Sequence, residues 1–339
     1  MRTTHLNSVF ETRRAMPANI NRKRIILFIV IAFGLAWLTG LVVFLTGGIV
    51  KSPEIIPGTK ITLAYVLIAV VYMWAPALAN IFTRIFTREG WANAGLRPHF
   101  KRSWKYWIAA WLLPPLFVVL GAFVFFLFMP QYYDASLSTL KSMLPNQGQG
   151  FPIPLTLIII VQMAQGVLIS PIINSFFTFG EEFGWRAYLL QKLLPLGPRK
   201  AVLVLGVIWG IWHAPVIAMG HNYGFDYPLY PWLGIIMMVW FTTLLGLFLA
   251  WVTLKSNSVW PAVIGHAVIN GTAGFAVLLA KGSPSTLVGP LPTGILGGIG
   301  FLALAALIFF SKSMLEPAGI PPAENHPVVE ASGDPIEGI

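Results

Sequence analysis

Eight apolar runs dominate this chain: residues 25–48, 60–83, 105–129, 154–178, 200–219, 230–254, 258–280 and 293–311 are nearly free of charge. Each is close to the ~20 residues that carry a helix across a ~30 Å hydrocarbon core. In lipid the backbone must satisfy its own polar groups, which a helix does and an open sheet does not. The runs therefore predict an all-α polytopic membrane protein, a bundle of about eight transmembrane helices. Composition agrees, because 56% of the 339 residues are hydrophobic and only 10% are charged. A water-soluble domain of this length has no need of such a balance.

The basic residues predict an orientation. With the N-terminal arm in the cytoplasm, 18 of the 22 Lys and Arg fall on inside segments, and only Lys51, Lys60, Lys141 and Lys281 fall outside. By the positive-inside rule this places the chain in the cell membrane with both termini cytoplasmic. The net charge of +10 then records topology; no folded basic domain for nucleic acid is present, and the lipid bilayer is the expected partner. The first run is longer than a secretion-signal core and lacks a small-residue cleavage site, so it reads as an uncleaved anchor. The chain has no cysteine, which excludes disulfides, thiolate metal sites and a cysteine nucleophile.

Residues 1–24 form a basic cytoplasmic arm, 25–153 hold three N-terminal spans, 282–315 the last span, and 316–339 read as a disordered Pro-rich tail. The longest loop, Pro130 to Pro154, has room for a short surface helix. No internal repeat is evident, which counts against an inverted-repeat transporter.

Function is sought in the few ionisable groups within these runs, because charge near hydrocarbon is costly unless paired or facing a polar cavity. Glu181 and Glu182 are adjacent, with Arg186 four residues beyond the second. Four residues along a helix is a ~40° offset, so Glu182 and Arg186 can pair while Glu181 is turned away by ~100°. A plainer alternative keeps Glu181 to Leu194 as a solvated amphipathic helix at the membrane boundary. His213 follows Trp209 by one turn and precedes Pro215, which kinks a helix and frees a carbonyl. His266 has Asn270 one turn on, an imidazole and a carboxamide suited to donate to a developing oxyanion. For each histidine the alternative is a polar fastener between helices.

In order, Glu181-Glu182-x-x-x-Arg186, Trp209-x-x-x-His213 and His266-x-x-x-Asn270 resemble the three motifs of the CPBP intramembrane endopeptidases. That family includes the type II CAAX prenyl proteases and the bacterial abortive-infection and bacteriocin-immunity proteins. The neighbouring Gly180-Glu-Glu-Phe-Gly-Trp-Arg186 and Trp212-His-Ala-Pro215 resemble its bacterial branch. The likeness covers residues 175–280 and makes 154–281 the catalytic core; it departs at Trp209, where the family usually has Phe. It implies that Glu181 is the general base acting with His213 on a water, that Glu182 and Arg186 are the supporting pair, and that His266 and Asn270 stabilise the oxyanion. The implied substrate is a membrane-attached peptide or protein, cut in the manner of CAAX processing.

Two points stay open at this stage. Glu181, His213 and His266 are a candidate Zn2+ set, since catalytic zinc takes three such ligands and an open position; there is no His-Glu-x-x-His, and the same groups are equally suited to holding a water directly. No organic cofactor is expected. The depths also conflict: Glu181 follows a span ending near residue 178, whereas His213 lies 13 residues past Lys200, ~20 Å along a helix. Either the fifth helix starts outside the membrane or the glutamate helix dips inward. The competing functions are a non-proteolytic immunity or scaffold protein and a proton-coupled transporter using Glu181, His213 and His266 as a relay.

Overall fold

A computed structural model describes residues 20–144 and 152–318. The arm before residue 20, the tail beyond 318 and residues 145–151 of the long loop lie outside the described residues. The fold is all-α. We number the helices α1 (Arg22–Leu45), α2 (Leu63–Phe86), α3 (Phe100–Phe128), α4 (Leu155–Ile173), α5 (Ser175–Gly184), α6 (Pro198–Trp212), α7 (Trp232–Ser256), α8 (Trp260–Leu279) and α9 (Ile299–Phe310). A two-stranded hairpin, Glu54–Ile56 with Ile61–Thr62, lies between α1 and α2, and the short helix expected in the long loop is Ser138–Ser142.

Among the described residues six helices, α1 to α4, α7 and α8, are long and apolar enough to cross a membrane. The chain is thus a multi-pass membrane protein, and the two other apolar runs hold shorter helices among the described residues. The fifth run holds a helix of 15 residues and the eighth one of 12, ~22 Å and ~18 Å at 1.5 Å per residue. Helix α6 starts at Pro198, after Gly197, and ends at Trp212; a short helix, Ala214–Ile217, follows His213. The first part of the eighth run is spent in turns through Gly294, Gly297 and Gly298.

Helix α7 is the axis of the bundle: 67% of its apolar window is buried, against 11% for the peripheral α4. The closest helix contacts are made through glycine. At Gly184 an added Cβ would stand 2.4 Å from the Pro76 carbonyl oxygen, and at Gly180 2.7 Å from that of Met73, so α5 lies directly on α2. Gly206 and Gly210 do the same for α6 on Thr243 and Val239 of α7. With lipid on the other side there is no hydrophobic drive to associate, and small residues that let backbones approach supply packing instead.

The fourth run does not stop at residue 178. After Asn174 the path continues as α5, one π-helical turn at Trp185–Leu189 and a short helix Leu190–Leu193, and it reverses only at Leu194–Gly197. Residues 180–190 are buried throughout. A solvated amphipathic helix at the boundary is therefore overturned: the charges that end the hydropathic run are paired inside the protein, and the helix continues through them. The reversal also removes the conflict of depth. Glu181 and Trp209 lie at similar distances before and after the turn, so the two helices bring them to the same level.

Candidate active site

Polar residues at a spacing of four place the end of α4 and the start of α5 on α8. Ser170 Oγ donates to the Ala267 carbonyl at 2.8 Å, Asn174 Nδ2 to Ser170 Oγ at 2.6 Å, and Thr178 Oγ1 to the Val263 carbonyl at 3.0 Å. The next two members of this series are Glu182 and Arg186. Glu182 Oε1 accepts from Arg186 Nη1 at 3.0 Å and stands 2.8 Å from His266 Nδ1. Glu182 and Arg186 are completely buried and His266 nearly so. The pairing of Glu182 with Arg186 follows the sequence spacing, whereas the third member comes from 84 residues away.

Trp209 gathers the remaining groups. Its indole Nε1 donates to Glu181 Oε2 at 2.8 Å, and its carbonyl oxygen lies 2.8 Å from His213 Nδ1. The Arg186 guanidinium carbon sits 4.1 Å from the centre of its ring, and His266 meets it edge-on at 5.4 Å between centroids. A carbonyl only accepts, so Nδ1 of His213 carries hydrogen and Nε2 of the neutral ring is the lone-pair nitrogen. The carboxylate of Glu182 imposes the same tautomer on His266. Among the described residues Glu181 Oε1 and the Nε2 atoms of both histidines take no hydrogen bond, and none of the three is sealed from access. The site thus offers three proton-accepting atoms backed by a fully buried ion pair.

Residues 156–272 match the family model described as type II CAAX prenyl endopeptidase, Rce1-like. Over 143 residues the chain is 31% identical to CAAX prenyl protease 2 of Methanococcus maripaludis, a match that covers 40% of this chain and 46% of that protein. The chain therefore spans about half the length of this curated relative. Residues 156–272 are thus similar to the Rce1-like endopeptidases. The match encloses all six residues singled out in the sequence, and the buried helices that carry them form the interior of the segment.

Within the matched segment, His266 and Asn270 stand in different surroundings. His266 turns Nδ1 to Glu182, while Asn270, one turn on, is exposed and makes no hydrogen bond among the described residues. The bond from His266 Nδ1 to Glu182 leaves Nε2 as the ring nitrogen that could act with Asn270 on one target. A neutral His266 presents a lone pair at Nε2, so it donates there only as imidazolium.

The zinc expectation meets a geometric test. Among the described residues no three His, Asp or Glu side chains come together where one cation could be shared. As they stand, Glu181, His213 and His266 do not present the three-ligand arrangement that catalytic zinc takes.

Three supports escaped sequence reasoning. The Trp209 N–H was read only as an aromatic ring. The series Ser170, Asn174, Thr178, Glu182, Arg186 was legible as five polar residues at spacing four in an apolar setting. Asn80 donates from Nδ2 to the Phe183 carbonyl at 2.8 Å, next to the π-helical turn, and nothing local in the sequence marks it.

Proposed function

We propose that this protein is an intramembrane endopeptidase that hydrolyses a peptide bond in a membrane-attached substrate, with a water activated by Glu181 and His213. The observation that carries the reading is the buried arrangement around Trp209 and Glu182, which leaves Glu181 Oε1 and His213 Nε2 as proton acceptors and directs His266 Nε2 to the same site. The Rce1-like match over residues 156–272 supports the same reaction class.

In this mechanism Glu181 Oε1 takes a proton as the water oxygen adds to the scissile carbonyl carbon. His213 Nε2 orients that water. The carbonyl oxygen becomes an oxyanion and receives a hydrogen bond from His266 Nε2 in its imidazolium form, which Glu182 stabilises through Nδ1. Asn270, on the same face of α8, is the second donor. The C–N bond then breaks as the amine nitrogen takes the proton held by Glu181, leaving a carboxylic acid and an amine. Arg186 pairs with Glu182 and holds it in place. No step requires a metal ion.

The relative's name makes a prenylated CAAX tail the first substrate to try, with the cytoplasmic orientation of the Lys and Arg distribution placing it on that side. The test uses the purified full chain in lipid with prenylated and unprenylated peptides, cleavage being read by mass spectrometry. Cleavage that survives a strong chelator and is abolished in Glu181→Gln, with folding retained, is the expected result. Uncleaved peptide at every concentration tried, with a stable complex instead, would favour a binding protein.

A further inference from the structure

Trp209 is 2% exposed and meets four groups of the site, Glu181, Arg186, His213 and His266. Two of its contacts are bonds that only particular atoms make. The indole N–H reaches Glu181 Oε2 at 2.8 Å, and the main-chain carbonyl meets His213 Nδ1 at 2.8 Å. The first ties one carboxylate oxygen and leaves the other for the water. The second fixes which imidazole nitrogen has the lone pair. The ring faces supply contacts of another kind, with Arg186 at 4.1 Å and His266 at 5.4 Å.

We propose that Trp209 is the positioning residue of this site: its N–H orients the Glu181 carboxylate and its carbonyl sets the His213 tautomer, so that both groups acting on water are registered by one residue. This deepens the hydrolytic reading and rests on it. The physical case is one of donor supply. Glu181 is 3% exposed, and a buried carboxylate needs hydrogen-bond donors. Arg186, the nearest cation in sequence, is paired with Glu182, so the indole is the donor that Glu181 has among the described residues. A phenyl ring would keep an aromatic face under Arg186 and the carbonyl to His213, and would delete the N–H at the cost of a smaller ring. The orienting contribution is then read in kcat and the packing contribution in Tm.

The test compares Trp209→Phe and Trp209→Leu in the purified full chain. Loss of a hydrogen bond to a charged group corresponds to about a 10- to 100-fold change. We expect Trp209→Phe to lower kcat by that factor with KM and Tm close to the parent, and Trp209→Leu to lower Tm as well. A kcat equal to the parent in Trp209→Phe overturns the proposal, as does a loss confined to Tm, which would make the residue purely structural. A second readout does not depend on turnover. With 15N-labelled tryptophan, the indole N–H resonance missing from the Trp209→Phe spectrum should be shifted in Glu181→Gln. An unmoved resonance overturns the hydrogen bond, whatever the activity. If the parent cleaves nothing while that resonance does move, the hydrolytic reading fails and the orientation of Glu181 by Trp209 stands.

Discussion

At the scale of single residues the decisive group is Glu182, which one oxygen commits to both Arg186 and His266. Breaking a buried ion pair by removing one partner costs ~3–5 kcal/mol, because the survivor is left charged and unpaired. Glu182→Gln should therefore lower Tm strongly. Replacing both partners with uncharged side chains of similar size, as in Glu182→Gln with Arg186→Met, should recover much of that stability. It should not recover cleavage, since His266 then lacks the carboxylate that holds its tautomer. Thermal unfolding in detergent with parallel peptide cleavage separates the two effects, and full recovery of both would show that Glu182 serves packing alone. The identity of the paired residues was legible in the sequence at Glu182 and Arg186 because four residues is a helical neighbour distance. The bond to His266 was not, since helical geometry says nothing about a residue 84 positions away.

At the scale of elements the site depends on how closely α5 lies on α2 and α8. Gly184 leaves no room for a side chain against Pro76, and Gly184→Ala should push α5 outward, lowering both Tm and kcat. Gly48→Ala is the control for introducing a methyl, because nothing stands within 4 Å of its Cβ position; its φ of +69° adds backbone strain without packing strain. A Tm loss no larger in Gly184→Ala than in Gly48→Ala would mean that close approach to α2 does not hold the glutamates in place. The π-helical turn at Trp185–Leu189 was not foreseen, as periodicity in an apolar helix cannot reveal a one-residue change of winding. Such turns recur at functional sites, and here it lies directly beyond Glu181 and Glu182 and contains Arg186.

At the scale of the whole molecule the Lys and Arg distribution makes an orientation testable. The cysteine-free chain permits single cysteines at will. Arg88→Cys should react with an impermeant maleimide from the cytoplasmic side and Lys51→Cys from the opposite side; labelling of both from one side would refute the orientation. What the sequence by itself determined was the solvent and the element type. Long uncharged runs can only be helices in lipid, and the rare ionisable groups among them mark the interior that must accommodate them. What tertiary structure decided was partnership and depth. When nearly every face of a helix is apolar, hydropathy no longer tells which face packs against protein, so neither the length of α6 nor the continuation of α5 beyond residue 178 could be read. Packing alone chose Glu182 as the partner of His266 and set Trp209 between Glu181 and His213. The physical reason is that a buried charge takes its partner from whatever helix the close contacts bring within hydrogen-bond reach.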